Sequence, residues 1–283
     1  METINLLFSV DDNYVTQLET VLLSIRTHTP TPPIDVYVLQ KQALNYNSKL
    51  EAFCQKLEMN YFPVVIGDTA FSKAPVTDRW PESIYYRLLA HDYLPEDLSS
   101  IIYFDADILV INSILPLTEL DMTDYLYAAA SHKQLTELTN YVNRIRLNTY
   151  DAEGYYNSGI LVMNLDNIRQ HVKAEDIFTY ISENRLKLFL PDQDVLNALY
   201  SDRILSIPDE VYNFDARRQL IYELISEGEW TMDWVIDHTI VLHFCGKDKP
   251  WHTPFRNQFS ALYKHYQRRA KLLSTSNKMW NEK

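Results

Sequence analysis

Through the first hundred residues the hydrophobic positions switch between two periodicities. Residues 4–10 form a nearly unbroken apolar run, as expected of a strand buried on both faces; residues 14–28 then place Val15, Leu18, Val21, Leu22 and Ile25 at helical spacing. The same reading predicts strands over 35–40, 61–66 and 101–107, separated by helices over 48–59 and 84–93. This βαβα order implies an α/β fold with a mostly parallel sheet covered on both faces by helices. The second half is more mixed, with strands predicted over 157–165 and 239–244 and helices over 175–187, 195–200 and 254–273. The pattern divides into one domain over residues 1–253 and a small C-terminal helical segment over 254–283.

Composition narrows the picture. A chain of 283 residues with 46% hydrophobic and 23% charged positions is that of a folded globular protein. Its net charge of −12 argues against general nucleic-acid binding, which needs a basic footprint. The charge is uneven, however. From Arg256 to Lys283 seven Lys or Arg face one acid, Glu282, and the segment also carries Tyr263, Tyr266 and Trp280. Such a tail suits peripheral contact with an anionic membrane, or equally a solvated surface helix. The start of the chain has no signal-peptide pattern, no apolar stretch reaches the roughly 18 residues of a membrane span, and Cys54 and Cys245 form no disulfide framework. The expectation is a cytoplasmic protein, associated at most with the inner face of a membrane.

The chemistry concentrates in a few segments. The run Ile101-Ile102-Tyr103-Phe104-Asp105-Ala106-Asp107 is apolar until it ends in two carboxylates one residue apart. In an extended segment residues i and i+2 share a side, so both can reach one cation at the carboxyl end of a strand, where open α/β sheets bind ligands. The bland alternative is an Asp-rich turn. The five glycines form neither GxGxxG nor a Walker A loop, so a bound diphosphate needs another source of positive charge. A divalent metal on Asp105 and Asp107 supplies it. The segment His243-Phe244-Cys245-Gly246-Lys247-Asp248-Lys249-Pro250-Trp251 adds a third ligand in His243, a close backbone approach at Gly246 and a point charge at Lys249. Two carboxylates with one imidazole favour Mn2+, with Mg2+ as the alternative.

These segments, taken in order, resemble glycosyltransferase family 8, which includes bacterial lipooligosaccharide galactosyltransferases and glycogenin. The resemblance runs from Leu7-Phe8-Ser9-Val10-Asp11-Asp12-Asn13-Tyr14, through Tyr85-Tyr86-Arg87-Leu88, Tyr103-Phe104-Asp105-Ala106-Asp107, Tyr156-Asn157-Ser158-Gly159-Ile160 and Asp192-Gln193-Asp194, to His243–Trp251. It implies a GT-A fold with a Rossmann-like sheet, and a hexosyltransferase that moves galactose or glucose from UDP-galactose or UDP-glucose with retention. By position it implies a metal on Asp105, Asp107 and His243, and donor-nucleotide contacts from Val10, Asp11, Asn13, Tyr14, Asp105, Ala106, Gly246 and Lys249. Donor-sugar contacts fall to Arg87, Asn157, Ser158, Asp192 and Gln193, with Gln193, Asp192 and Arg87 nearest the chemistry.

Breaking the anomeric bond builds negative charge on the departing diphosphate, and the metal, Lys249 and the Gly246 backbone are the groups to stabilise it. Gln193 is a poor nucleophile, so retention points to a front-face route in which a departing phosphate oxygen takes the acceptor proton. The acceptor is a glycan, lipid-linked or protein-linked, and the segment between Asp68 and Ser83 facing it carries no readable motif. The competing functions are a nucleotide-sugar-binding protein without catalysis and a metal-dependent nucleotidyl or phosphoryl transferase.

Overall fold

The computed structural model describes residues 2–67, 83–131, 147, 154–252 and 257–281. Residues 68–82 of the segment expected to face the acceptor, and the expected boundary at 253/254, lie outside these residues, the latter by falling within 253–256.

Seven strands form the central sheet in the order β3-β2-β1-β4-β7-β6-β8. They are β1 (Ile4–Ser9), β2 (Ile34–Gln40), β3 (Met59–Val65), β4 (Ser100–Phe104), β6 (Tyr127–Ala130), β7 (Ile160–Asn164) and β8 (Ile204–Ile207). β1, β2, β3 and β4 run parallel, as do β6 and β8; β7 runs antiparallel to both β4 and β6. Alternate residues feed two cores. Leu6, Phe8, Ile102 and Phe104 pack on one face with the Val15–His28 helix, whereas Leu7, Ile101, Tyr103 and Leu161 pack on the other with Tyr85 and Leu88. Because β2 and β4 lie on opposite sides of β1, the strand order reverses between β1 and β4. The crevice beyond their carboxyl ends is the place where such sheets take ligands, and it lies between Ser9-Val10-Asp11 and Phe104-Asp105.

A small second sheet, β5 (Ile108–Val110), β10 (Val241–His243) and β9 (Phe214–Asp215), stands beside the first. β10 pairs antiparallel with β5, His243 opposite Ile108, and parallel with β9.

Several expected boundaries move. β4 stops at Phe104, so Asp105 and Asp107 flank a turn between β4 and β5 and are not alternate positions of one strand. Asn157 and Ser158 precede β7 and do not begin it. The helix expected over 84–93 is Ser83–Leu88 followed by a single 3-10 turn, Ala90–Asp92.

The Val15–His28 helix is buried almost all round, including Gln17, Glu19, Thr20, Ser24 and Arg26. Its second face is covered by the C-terminal helix, Ser260–Thr275, whose Tyr263, Tyr266, Ala270 and Leu273 join the same core. Polar bonds fasten the two: His28 Nε2 to Tyr266 Oη at 2.8 Å and Ser274 Oγ to Glu19 at 2.9 Å. Lys56 Nζ donates to the carbonyls of Leu273, Ser274 and Ser276. The tail aromatics therefore do not present themselves to a membrane: Tyr263 and Tyr266 are core, and Trp280 packs against it. Lys264, Arg268 and Lys271 remain on the outer face. No helix among the described residues is long and apolar enough to cross a membrane.

Candidate functional site

The turn at Asp105-Ala106-Asp107 is pinned from both sides. The Asp105 amide donates to the Gly159 carbonyl (2.8 Å) and the Phe244 amide to the Asp107 carbonyl (2.9 Å). The β5–β10 ladder carries His243, more than a hundred residues away in sequence, to the same point. One ligand atom from each of Asp105, Asp107 and His243 lies within 4.8 Å of the other two. Gly159 closes the floor: a Cβ there would stand 2.5 Å from His243 Cε1 and 2.8 Å from Asp105 Oδ2. A side chain at this position would push two of the three groups apart.

The two aspartates answer to different partners. Asp105 meets the Arg87 guanidinium at 2.9 Å and accepts from Tyr103 Oη at 2.7 Å. Arg87 lies 4.7 Å from the centre of the Tyr103 ring, donates to the Ser158 carbonyl at 3.0 Å, and reaches Asp192 at 3.1 Å. Burial works against its charge, yet Asp105, Tyr103 and Asp192 together raise its pKa above the ordinary arginine value. Burial raises the pKa of the Asp105 carboxyl, with Arg87 opposing.

Asp107 faces His243 Nε2 at 3.2 Å and the Lys249 ammonium, which also donates to the Phe244 carbonyl at 2.8 Å. Burial alone would raise the Asp107 pKa, but His243 and Lys249 hold it well below the usual carboxylate range. The His243 pKa is raised in turn: burial lowers it, and Cys245 and Asp107 more than compensate. The donor set of two carboxylates and one imidazole fits a divalent cation. His243 Nδ1 is engaged by Asn213 Oδ1 at 2.8 Å, which leaves Nε2 directed at Asp107. Such outer hydrogen bonds are the usual support of a metal-bound histidine.

At the carboxyl end of β1, Val10 and Asp11 follow the strand directly. Asp11 caps a 3-10 turn, accepting from the Asn13 amide at 2.9 Å and from Asn13 Nδ2 at 3.2 Å. Tyr14 is 39% exposed and stands edge-on to Trp251 with ring centres 6.2 Å apart, so the first and last sequence motifs meet. Ala106 is buried inside the turn. Gly246 has φ +84°, a left-handed conformation, and a Cβ there would lie 2.5 Å from Arg217 Nη1. Arg217 is held by two hydrogen bonds to the buried Asp215 carboxylate, at 2.9 and 2.7 Å.

Just before β7, Ser158 Oγ donates to Asp192 at 2.9 Å and Asn157 Nδ2 to Gln193 Oε1 at 3.2 Å. Both acceptors open the Pro191–Tyr200 helix. Asp194, the third residue of that sequence motif, is fully buried. It accepts from the Phe189 and Leu190 amides and from Tyr155 Oη at 2.6 Å, and so holds the loop before the helix. Asn197, one turn further on, bonds both the amide and the carbonyl of Tyr156 at 2.7 Å. These bonds lock the 155–159 segment to the helix.

The structure thus brings Arg87, Asp105, Asp107, Asn157, Ser158, Asp192, Gln193, His243 and Lys249 into one connected cluster. Sequence reasoning did not identify Tyr103, Gly159, Asn213, Asp215 or Arg217 as part of it. Gly159 and Tyr103 sit inside motifs already noticed; nothing in the local sequence marks the other three.

Comparison with known proteins fits this geometry. The model for the family described as glycosyl transferase family 8 matches residues 5–254. A lipopolysaccharide 1,2-glucosyltransferase of Escherichia coli is 29% identical over 274 residues, covering 93% of this chain and 77% of that protein. General stress protein A of Bacillus subtilis is 25% identical over 278 residues, 94% and 93% of the two chains. Among solved structures, the galactosyltransferase LgtC in complex with donor and acceptor sugar analogs superposes with a TM-score of 0.78 at 22% identity, over 98% of this chain and 99% of that one. That likeness carries the fold, and the GT-A architecture expected from the sequence is met. With the family model spanning nearly the whole α/β body, the chain belongs to glycosyl transferase family 8.

Proposed function

We propose that this cleft transfers a hexose, galactose or glucose, from a UDP-sugar to a glycan acceptor with retention of anomeric configuration. The observation that carries the reading is the convergence of Asp105, Asp107 and His243 at the strand-order reversal, with Arg87 on one flank and Lys249 on the other. A divalent cation on these three residues, Mn2+ or Mg2+, would supply positive charge to the leaving diphosphate. Lys249 and the Gly246 backbone add to that charge at the same end, where stabilisation counts most once the bond has broken.

Val10, Asp11, Asn13 and Tyr14 would take the uridine, with the Tyr14 face available to the base, and Ala106 would contribute backbone contacts. Arg87, Asn157, Ser158, Asp192 and Gln193 would hold the sugar. Gln193 is the side chain assigned to the face opposite the leaving group; an amide does not form a stable glycosyl ester, which favours the front-face route. The names of the relatives favour a lipid-linked acceptor. The reading includes a catalytic domain over 1–253 and a cytoplasmic protein whose basic tail helix meets the inner membrane face through Lys264, Arg268 and Lys271.

The test is turnover of a panel of UDP-sugars with Mn2+, following UDP release with and without EDTA. Metal-dependent release from one donor supports the reading and names the sugar. Binding without turnover across a broad acceptor panel would instead identify a nucleotide-sugar-binding protein.

A further inference from the structure

A chain of amides joins the cation ligand His243 to Gln193 across the floor of the cleft. His243 Nδ1 meets Asn213 Oδ1 at 2.8 Å, Asn213 Nδ2 donates to Asn157 Oδ1 at 2.9 Å, and Asn157 Nδ2 donates to Gln193 Oε1 at 3.2 Å. Asn213 is wholly buried at the start of β9. An amide can be turned end for end, so the direction of such a chain needs a cause. Here it is the Gly159 backbone. The Gly159 N–H donates to Asn157 Oδ1 at 2.9 Å, and a backbone N–H cannot accept. Asn157 must therefore show its oxygen to Gly159 and Asn213, and its nitrogen to Gln193.

The consequence propagates both ways. Asn213 can satisfy Asn157 Oδ1 only with its own nitrogen, so its oxygen faces His243. An oxygen there accepts, which requires the proton of His243 to sit on Nδ1 and leaves Nε2 as the ligand nitrogen. At the other end Gln193 Oε1 accepts from Asn157 Nδ2, which settles the end of the Gln193 amide that faces Asn157.

We propose that Asn213 is a positioning residue that fixes the metal-binding tautomer of His243, its own orientation being set, through Asn157, by the Gly159 N–H. This deepens the proposed function and rests on its metal site.

The experiment compares Asn213→Ala and Asn213→Asp with the unmodified protein, each checked for folding by thermal unfolding. In Asn213→Asp the carboxylate still accepts from Nδ1–H but cannot donate to Asn157 Oδ1. Mn2+ titrated in the presence of UDP should bind about 10- to 100-fold more weakly to folded Asn213→Ala. Asn213→Asp should keep the original affinity, because its carboxylate still accepts from Nδ1–H. A folded Asn213→Ala with unchanged Mn2+ affinity, or an Asn213→Asp as weak as Asn213→Ala, overturns the inference. A histidine-labelled proton–nitrogen NMR spectrum separates this from failure of the metal reading. If the unmodified protein takes up no Mn2+, that reading is lost, and an exchange-protected His243 Nδ1–H present with Asn or Asp at 213 and lost with Ala still supports the chain. Its absence from the unmodified protein overturns it.

Discussion

Asp105 and Asp107 are two residues apart and their carboxylates share one point, yet different parts of the molecule hold them. Asp105 is tied to Arg87 of the Ser83–Leu88 helix and Tyr103 of β4, and through Arg87 to Asp192. Asp107 is tied to the end of the chain, through His243 of β10 and Lys249 beyond it. The two networks also differ in electrostatics. One guanidinium is shared between Asp105 and Asp192, whereas Asp107 alone faces two cationic partners. A pair that reads as one motif in sequence is a junction between two separate side-chain networks.

Breaking that comparison most severely means removing the shared point. Asp107→Asn should lower turnover by about 10³-fold or more, the upper range for loss of a group that stabilises developing charge. Mn2+ binding, measured separately, should fall with it. Arg87→Ala should cost about 10²- to 10³-fold in turnover by the same reasoning, but UDP affinity measured by calorimetry should stay nearly unchanged if, as proposed, Arg87 holds the sugar. Equal losses of UDP affinity in both variants would merge the two networks into one.

Gly159→Ala tests the floor beneath both. The added methyl must displace His243 or Asp105, and Mn2+ affinity should drop about 10- to 100-fold, the range seen when support for metal ligands is lost. Lys249→Ala removes one charged hydrogen-bond donor from the Asp107 network. UDP affinity should weaken by about tenfold or somewhat more, the size expected for one hydrogen bond to a charged group, with sugar specificity unchanged.

The smallest effect sharpens the contrast between cleft and core. Burial, with Glu19 and Glu51 adding to it, pushes the Cys54 thiol up to about 12. A thiol with a raised pKa in the folded state favours folding while it stays protonated. That contribution is whole below the unfolded thiol value near 9 and is lost as pH climbs from there toward about 12. Denaturant midpoints should therefore decline over that window, and less so in Cys54→Ala measured against its own baseline. Thiol reagents should modify the partly exposed Cys245 in the native protein and reach Cys54 only on unfolding.

Much of the first half was legible because each strand or helix there answers to its own periodicity. Ile34–Gln40 and Val15–His28 match their expected ranges within a residue or so. What periodicity missed on that helix is instructive. The stripe of Val15, Leu18, Val21, Leu22 and Ile25 is buried as expected, but so are Glu19 and Arg26. Glu19 meets Lys49 and Ser274, the latter on a helix more than two hundred residues away, and the Arg26 terminal nitrogens meet the carbonyls of Pro30 and Glu58. Those partners are invisible in a helical wheel. The same limit hid Asn213 and Arg217, whose significance lies only in what β9 sets beside them.

The order of residues was enough to determine the alternating strands and helices, the carboxylate pair and the family, since each is written in local pattern or in short motifs kept in register. Tertiary structure alone decided that Asp105 and Asp107 flank a turn, that His243 reaches them across the β5–β10 ladder, that the tail aromatics turn inward, and that Gly159 must lack a side chain. Strand pairing and burial are contacts between segments far apart along the chain, and no local spacing specifies which distant segment will supply the other half.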